Sequence, residues 1–290
     1  NIRLEAGVKY AELGDDLEGA VSRSGQKGAI DFLLLDSDKK PLVVLEAKRS
    51  TIDPLSAKEQ ARKYAESVKA RFIILSNGDL HYFWDTEFGN PETIINFPNP
   101  DSITQHQAYK PSPNELATTK VDQNYIIASQ YPNYASDPDF QDPKKLAGFL
   151  KKNNLKQMRP YQVDALRAIQ ESAKKGSQRY LFEMATGTGK TLISSAVIKM
   201  FLKSGNAHRV LFLVDRLELE DQAYKAFVQY LGKDYTIKIF KENRNDWANA
   251  EVVVSTVQSF LAGDKYRKEF SPTDFELVIS DEAHRSIGGN

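Results

Sequence analysis

Cysteine is absent from all 290 residues. Disulfide cross-links and thiolate metal centres are therefore excluded, and only carboxylate oxygens and the four histidines remain as metal ligands. Such a donor set favours a hard cation such as magnesium. An excess of one charge is also lacking, because Lys plus Arg and Asp plus Glu both number 39. No global positive field draws the chain to nucleic acid, so any such binding must come from local patches. No apolar run approaches the ~20 residues that span a bilayer, and Asn1-Ile2-Arg3-Leu4-Glu5 carries no signal-peptide pattern. A cytoplasmic protein without membrane contact is expected. The chain does not start with methionine and stops just after a motif that normally lies mid-domain, so a fragment of a longer polypeptide is expected.

The length predicts about two domains. Polar residues with Val8, Ala11, Leu17 and Val21 at helical spacing predict a first helix over residues 6–21, broken near Gly14. The runs Ala29–Leu35 and Pro41–Lys48, joined by the polar turn Asp36-Ser-Asp-Lys-Lys40, predict a hairpin. A helix over Ser56–Val68 and strands at Arg71–Ser76 and Leu80–Trp84 complete a mixed α/β unit over residues 1–97. Residues 98–145 hold seven of the twelve prolines and read as a linker region, with Ile126, Ile127 and several tyrosines packing on its neighbours. From 146 to 290 strands and helices alternate. The strands are Arg179–Met184, Arg209–Asp215, Thr236–Phe240, Glu251–Ser255 and Phe275–Ser280, and their apolar runs fit a parallel sheet buried on both faces.

Ala185-Thr186-Gly187-Thr188-Gly189-Lys190-Thr191 lies between the first of those strands and a helix from Lys190. Glycines let the backbone close around a polyphosphate, N–H groups and the helix start face the anion, and the lysine adds positive charge. An ordinary glycine turn is the plainer alternative, but the strand-loop-helix setting points to a nucleoside triphosphate with magnesium. Asp281-Glu282-Ala283-His284 follows the last strand, so its carboxylates can converge on that loop at one sheet edge. Thr191 and Asp281 are candidate magnesium ligands, Glu282 the group that orients and deprotonates water, and His284 a link to a neighbouring domain. Gln162, after Arg159-Pro160-Tyr161, carries a donor and an acceptor that suit the N6 and N7 edge of adenine, which makes the ligand ATP. A simple helix start is the alternative there.

A second site lies in the hairpin. Glu46 and Lys48 are two apart on one strand and share a face, and strand pairing can bring Asp31 opposite them. Two carboxylates can hold one or two magnesium ions against a phosphodiester, and a lysine can stabilise developing negative charge. A surface ion pair is the bland alternative. Against it, Asp31 sits within Ala-Ile-Asp-Phe-Leu-Leu-Leu and Glu46 ends Leu-Val-Val-Leu, where an uncompensated charge is costly. Lys48, Arg49, Lys58, Arg62 and Lys63 predict a local positive face for phosphate.

Gln162, the glycine loop, Asp215-Arg216, Ser255-Thr256 and Asp-Glu-Ala-His together resemble the first motor domain of superfamily two helicases and translocases, from Met158 to Ser286. That resemblance places Arg216 and Thr256 on the nucleic-acid track and implies a second RecA-like domain that supplies an arginine, so these 290 residues alone are expected to bind ATP but hydrolyse it poorly. Asp31 with Glu46-Ala47-Lys48 resembles the core of PD-(D/E)xK nucleases, and Gln60-Ala-Arg-Lys-Tyr64 looks like the Gln-x-x-x-Tyr motif of their RecB-like branch, which adds Gln60 and Tyr64 to the site. Glu18 is a further acidic candidate. A RecB-like nuclease before a DEAH-box motor resembles the restriction subunit of type I restriction-modification enzymes. The resemblance implies a mixed-sheet restriction-endonuclease-like domain followed by a parallel-sheet RecA-like P-loop domain. It also implies ATP and Mg2+ as cofactors, double-stranded DNA as substrate, and methyltransferase and specificity subunits as partners. Another nuclease-helicase fusion in repair or defence, and a non-cutting DNA-binding module with a vestigial nuclease fold, remain as alternatives.

Overall fold

The structure, a computed structural model, describes residues 2–9, 27–185, 187–242, 247–262, 266 and 269–282. The chain forms two compact units, Asn1–Gln107 with Phe270–Thr273, and Ala108–Glu269 with Asp274–Asn290. In the first, strands β1 (Ile2–Lys9), β2 (Lys27–Leu35), β3 (Pro41–Ala47), β4 (Phe72–Ser76), β5 (His81–Asp85) and β6 (Glu92–Ile94) form one sheet in chain order. Every neighbour pair is antiparallel except β3 and β4. A parallel pair needs a crossover, and α1 (Lys58–Val68), entered through a 3-10 turn at Pro54–Ala57, provides it.

Strand alternation sends Leu33, Val44, Ile73 and Leu75 to one face, where they meet Ala61, Tyr64 and Ala65 of α1. These helix residues recur at i, i+3 and i+4, and the small alanines let the helix lie close. Helix α2 (Pro100–Gln107) covers the opposite face, with Ile103 against Val43, Phe72 and Ile74. Burying each such side chain contributes about 1.5–3 kcal/mol. The segment from Phe270 joins this unit through Asn96 Nδ2, which donates to the Phe270 carbonyl at 3.3 Å, and through the Ser102 and Thr273 hydroxyls.

One expectation changes here. Residues 6–9 belong to β1 and not to a helix; the rest of the expected helix, Glu18 included, lies outside the described residues. The missed signal is that Ile2, Leu4, Ala6 and Val8 alternate with Arg3, Glu5, Gly7 and Lys9 at strand period. Residues 98–145, expected as a linker region packed in part on its neighbours, carry several short helices. After α2 they form α3 (Pro113–Thr118), α4 (Ile127–Gln130) and α5 (Pro138–Gln141). Proline opens α2, α3 and α5, a position where its missing N–H costs nothing. Ser112 and Asp137 cap α3 and α5. Leu116, Val121, Tyr125 and Ile126 are buried in the core of the second unit, and Ile127 packs with Phe149 and Leu155.

The second unit continues with α6 (Leu146–Lys152), α7 (Pro160–Lys174), α8 (Lys190–Lys203), β7 (Val210–Val214), α9 (Leu217–Leu231), β8 (Ile237–Ile239), β9 (Val252–Thr256), α10 (Val257–Leu261) and β10 (Leu277–Ser280). Its sheet runs β10-β7-β9-β8, all parallel. Parallel order collects the strand C-termini at one edge, so Asp281, Asp215, Thr256 and Lys241 emerge side by side there. Arg179–Met184 was expected as a further strand, but it pairs with no described strand, and Leu181 is 88% exposed. An apolar run carries strand propensity, yet without a neighbouring backbone its N–H and C=O groups have no ladder to join.

Candidate functional sites

The hairpin register pairs Phe32 with Leu45, and its continuation sets Asp31 across from Glu46. The ladder is closed there by a side chain, since Ala47 N–H donates to Asp31 Oδ2 at 2.8 Å. Lys48 N–H donates to the Ser76 carbonyl at 2.8 Å, which keeps the backbone extended and holds Lys48 on the face of Glu46. Lys48 Nζ donates to Glu46 Oε1 at 2.9 Å. The structure therefore brings Asp31, Glu46 and Lys48 together. Gln60 Nε2 donates to the Tyr64 hydroxyl at 2.9 Å on α1, the helix covering the same face. Within the expected positive face, Arg62 is paired with Glu59 and Glu66 at 2.9 and 2.6 Å as exposed helix ion pairs.

Glu46 is the unusual member. Its side chain is 2% exposed, and Oε2 is buried without a hydrogen-bond partner. Burial pushes its pKa up, the bond and charge of Lys48 act against that, and the charge of Asp31 adds to it. A buried carboxylate oxygen with no partner beside a second carboxylate fits a divalent cation, which would compensate both charges. Asp31 and Glu46 would hold it, and magnesium would activate water and neutralise phosphate charge. Among the described residues no group of three or more His, Asp or Glu is gathered as a metal site, so this is a two-carboxylate arrangement.

In the second unit Gly187 and Gly189 have φ of 76° and 89°, the left-handed region that glycine enters without strain. A Cβ on Gly189 would stand 2.6 Å from Gln162 Nε2, whereas the space beside Gly187 is open. Gln162 is buried with both ends of its amide bonded. Oε1 accepts from Arg159 N–H at 2.9 Å, and Nε2 donates to the Thr188 carbonyl at 3.0 Å. The Tyr161 hydroxyl donates to the same carbonyl at 2.5 Å. Gln162, expected at the base edge, is here a tie between α7 and the glycine loop, and a base contact has to exchange for these bonds. Tyr161 carries no distinguishing signal in the sequence, where it is an aromatic residue beside a helix start.

Lys190 opens α8 and donates from Nζ to Glu282 Oε1 at 2.7 Å. That bond, with the charges of Glu282 and Asp281, raises the Lys190 pKa and keeps it cationic. Asp281 is fixed by its N–H, which donates to the Leu213 carbonyl of β7 at 2.9 Å, and its Oδ1 accepts from Glu282 N–H at 3.1 Å. Glu282 has φ of 54°, a conformation costing a non-glycine residue about 1–3 kcal/mol. The loop lysine and the acidic pair thus meet in one place, and Thr191 follows directly in α8. Open space at Gly187, an accessible cation and a carboxylate pair fit a magnesium-bound triphosphate. Thr186 and His284 lie outside the described residues. Arg216 caps α9 and is 63% exposed beside Asp215. Thr256 is buried instead, its hydroxyl accepting from Ser259 N–H at 2.9 Å, so as placed it shapes the start of α10 and does not itself face solvent.

Residues 3–98 match the family described as Type I restriction enzyme R protein N terminus (HSDR_N), and residues 155–290 match Type III restriction enzyme, res subunit. The Type I restriction enzyme EcoAI endonuclease subunit of Escherichia coli is 27% identical over 278 residues, covering 93% of this chain and 31% of that protein. Most of the chain is thus similar to type I restriction endonuclease subunits. The EcoKI endonuclease subunit of Escherichia coli (strain K12) is 26% identical, with 90% of this chain and 25% of the relative covered. The SauMSSORF170P endonuclease subunit of Staphylococcus aureus (strain MSSA476) is 27% identical, with 86% and 27% covered. The chain spans about a quarter to a third of the length of these curated relatives. Its fold is accordingly α/β, a mixed-sheet unit followed by a parallel-sheet unit in which the glycine loop opens α8. Among the described residues no helix is long and apolar enough to cross a membrane.

Proposed function

We propose that this chain carries the nuclease and the first motor domain of a type I restriction subunit, which translocates double-stranded DNA with ATP and cuts it by magnesium-dependent phosphodiester hydrolysis. The observation that carries this reading is the buried, unpartnered Oε2 of Glu46 beside Asp31 and Lys48. A carboxylate is kept in such a place when a cation completes it. Asp31 and Glu46 hold the metal, Lys48 stabilises charge on the phosphate, and Gln60 with Tyr64 supports the site from α1. Lys190 and Thr191 bind the ATP phosphates and their magnesium, Asp281 orients that magnesium, and Glu282 positions water once ATP has drawn Lys190 away. Thr186 and His284 belong to the same ATP site by their place in the motifs. Methyltransferase and specificity subunits are the partners, and the cytoplasm is the compartment, in line with the endonuclease-subunit relatives.

The test is ATP-dependent cleavage by the full-length protein in its complex. Asp31→Ala abolishes cutting and leaves DNA-stimulated ATP hydrolysis intact, whereas Lys190→Ala abolishes both. Undiminished cutting by the Asp31→Ala protein removes the nuclease assignment and leaves a DNA-binding module with a vestigial nuclease fold.

A further inference from the structure

Glu220, in the first turn of α9, is 0% exposed, and a carboxylate out of water is costly unless it is compensated. Two groups compensate it. Thr256 N–H, at the end of β9, donates to Oε1 at 3.0 Å, and Lys241 Nζ, just beyond β8, forms an ion pair with Oε2 at 2.6 Å. The α9 turn itself is anchored at Arg216, whose carbonyl accepts from Glu220 N–H at 3.1 Å. One buried carboxylate therefore ties together the segments that follow β7, β8 and β9 at the same sheet edge.

The three segments differ in what they present. Thr256 is buried and spends its hydroxyl on α10, whereas Arg216 is 63% and Lys241 33% exposed. The contact with Glu220 raises the Lys241 pKa, so the ammonium stays charged. An ammonium has three N–H donors, and one carboxylate oxygen leaves the others available to a second acceptor. A free lysine loses about 2 kcal/mol of rotamer entropy when it is fixed; pairing with a carboxylate that cannot move away meets that cost before any ligand arrives.

We propose that Lys241 is a DNA-phosphate contact, held in place by the positioning residue Glu220, and that it extends the DNA path from Arg216 toward the β8 side of the sheet. This rests on the motor reading above. Phosphate is the matching partner because Arg216 and Lys241 offer cations; Asp215 beside Arg216, and Glu220, Asp221 and Glu242 beside Lys241, offset part of that charge, so the contact is carried by the spare N–H donors.

The test measures binding of the full-length protein to duplex DNA of arbitrary sequence across a salt series, without nucleotide. Each neutralised phosphate contributes about 0.9 to the slope of log affinity against log salt. Lys241→Ala alone strands a buried charge, so the paired comparison is Glu220→Gln against Glu220→Gln/Lys241→Met, which removes both charges at similar volume. The expected result is a slope lower by about 0.9 in the double variant than in Glu220→Gln, with Lys241→Arg matching wild type. Equal slopes in the two Glu220→Gln proteins overturn the proposal and leave Lys241 as a charge partner only. If wild type shows no salt-dependent duplex binding at all, the motor reading and this inference fall together.

Discussion

Replacing Glu46 by glutamine separates a stability cost from a metal site. In the metal-free protein Oε1 accepts from Lys48 at 2.9 Å, while Oε2 is buried without a partner. A buried polar group without its bond costs about 1–3 kcal/mol, and more when charged. Against this, the bond from Lys48 weakens when its acceptor becomes a neutral amide, by roughly 1 kcal/mol. Glutamine keeps an unpartnered polar atom there but removes its charge, and burial favours the neutral form, so a net gain of up to about 1 kcal/mol is expected for Glu46→Gln, or up to about 4–8 °C in melting temperature for a unit of this size. The pH dependence follows from the sign of the shift. Burial raises the Glu46 pKa, so between its unfolded value of about 4.3 and the raised value the folded state holds more protons than the unfolded one. Stability then falls as pH rises through that window, and the glutamine protein lacks this fall.

Metal reverses the order. A cation at one hundred times its dissociation constant stabilises the folded wild type by about 2.7 kcal/mol, and glutamine forfeits most of that. Thermal melts of nucleotide-free protein at pH 8, with chelator and with magnesium, should therefore cross: the variant is more stable in chelator, and wild type in magnesium. A variant that keeps the full magnesium response means Glu46 is no ligand. A variant that is less stable in chelator means the burial argument is wrong.

Gly189→Ala forces a Cβ to within 2.6 Å of Gln162 Nε2 at φ of 89°, whereas Gly187→Ala meets open space at φ of 76°. Binding of a fluorescent ATP analogue should weaken about tenfold or more at Gly189, for roughly 1.4 kcal/mol or more of lost binding, and less at Gly187; equal losses would discard the clash with Gln162. Ile126→Ala should cost about 2–5 kcal/mol in urea unfolding of the second unit, because Ile126 is fully buried in its core, whereas a residue of a solvated linker would cost less than about 0.5 kcal/mol. Lys199 is buried with Nζ donating to the Tyr125 carbonyl at 2.6 Å, and burial lowers its pKa to about 8. With an unfolded value of about 10.4, the unfolded state holds more protons between those limits, so stability rises with pH through the window. The wild-type rise, measured against Lys199→Met, should vanish in the variant; parallel pH curves would show that Lys199 does not titrate this way.

Local chemistry was sufficient for much of this protein. Asp31, Glu46 and Lys48 could be placed on one face because strand period is fixed by backbone geometry and the Asp36–Lys40 turn fixes the hairpin. The glycine loop before α8 and the acidic pair after β10 were legible for a similar reason, since residue type and local setting specify them without distant partners. Composition could not say how the proline-bearing stretch folds, because proline at a first helical turn and proline in coil look alike. What distinguishes them is whether Leu116 and Ile126 find a core to enter. Pairing likewise decided β1, which gains a partner in β2, and Arg179–Met184, which has none among the described residues. Only tertiary structure could turn Gln162 inward onto Thr188, bury Thr256, and leave one oxygen of Glu46 unbonded. Each of these depends on which groups distant in sequence exclude water from one another. Sequence alone marked which residues are candidates for the chemistry, and packing decided which of their atoms are bonded to neighbours.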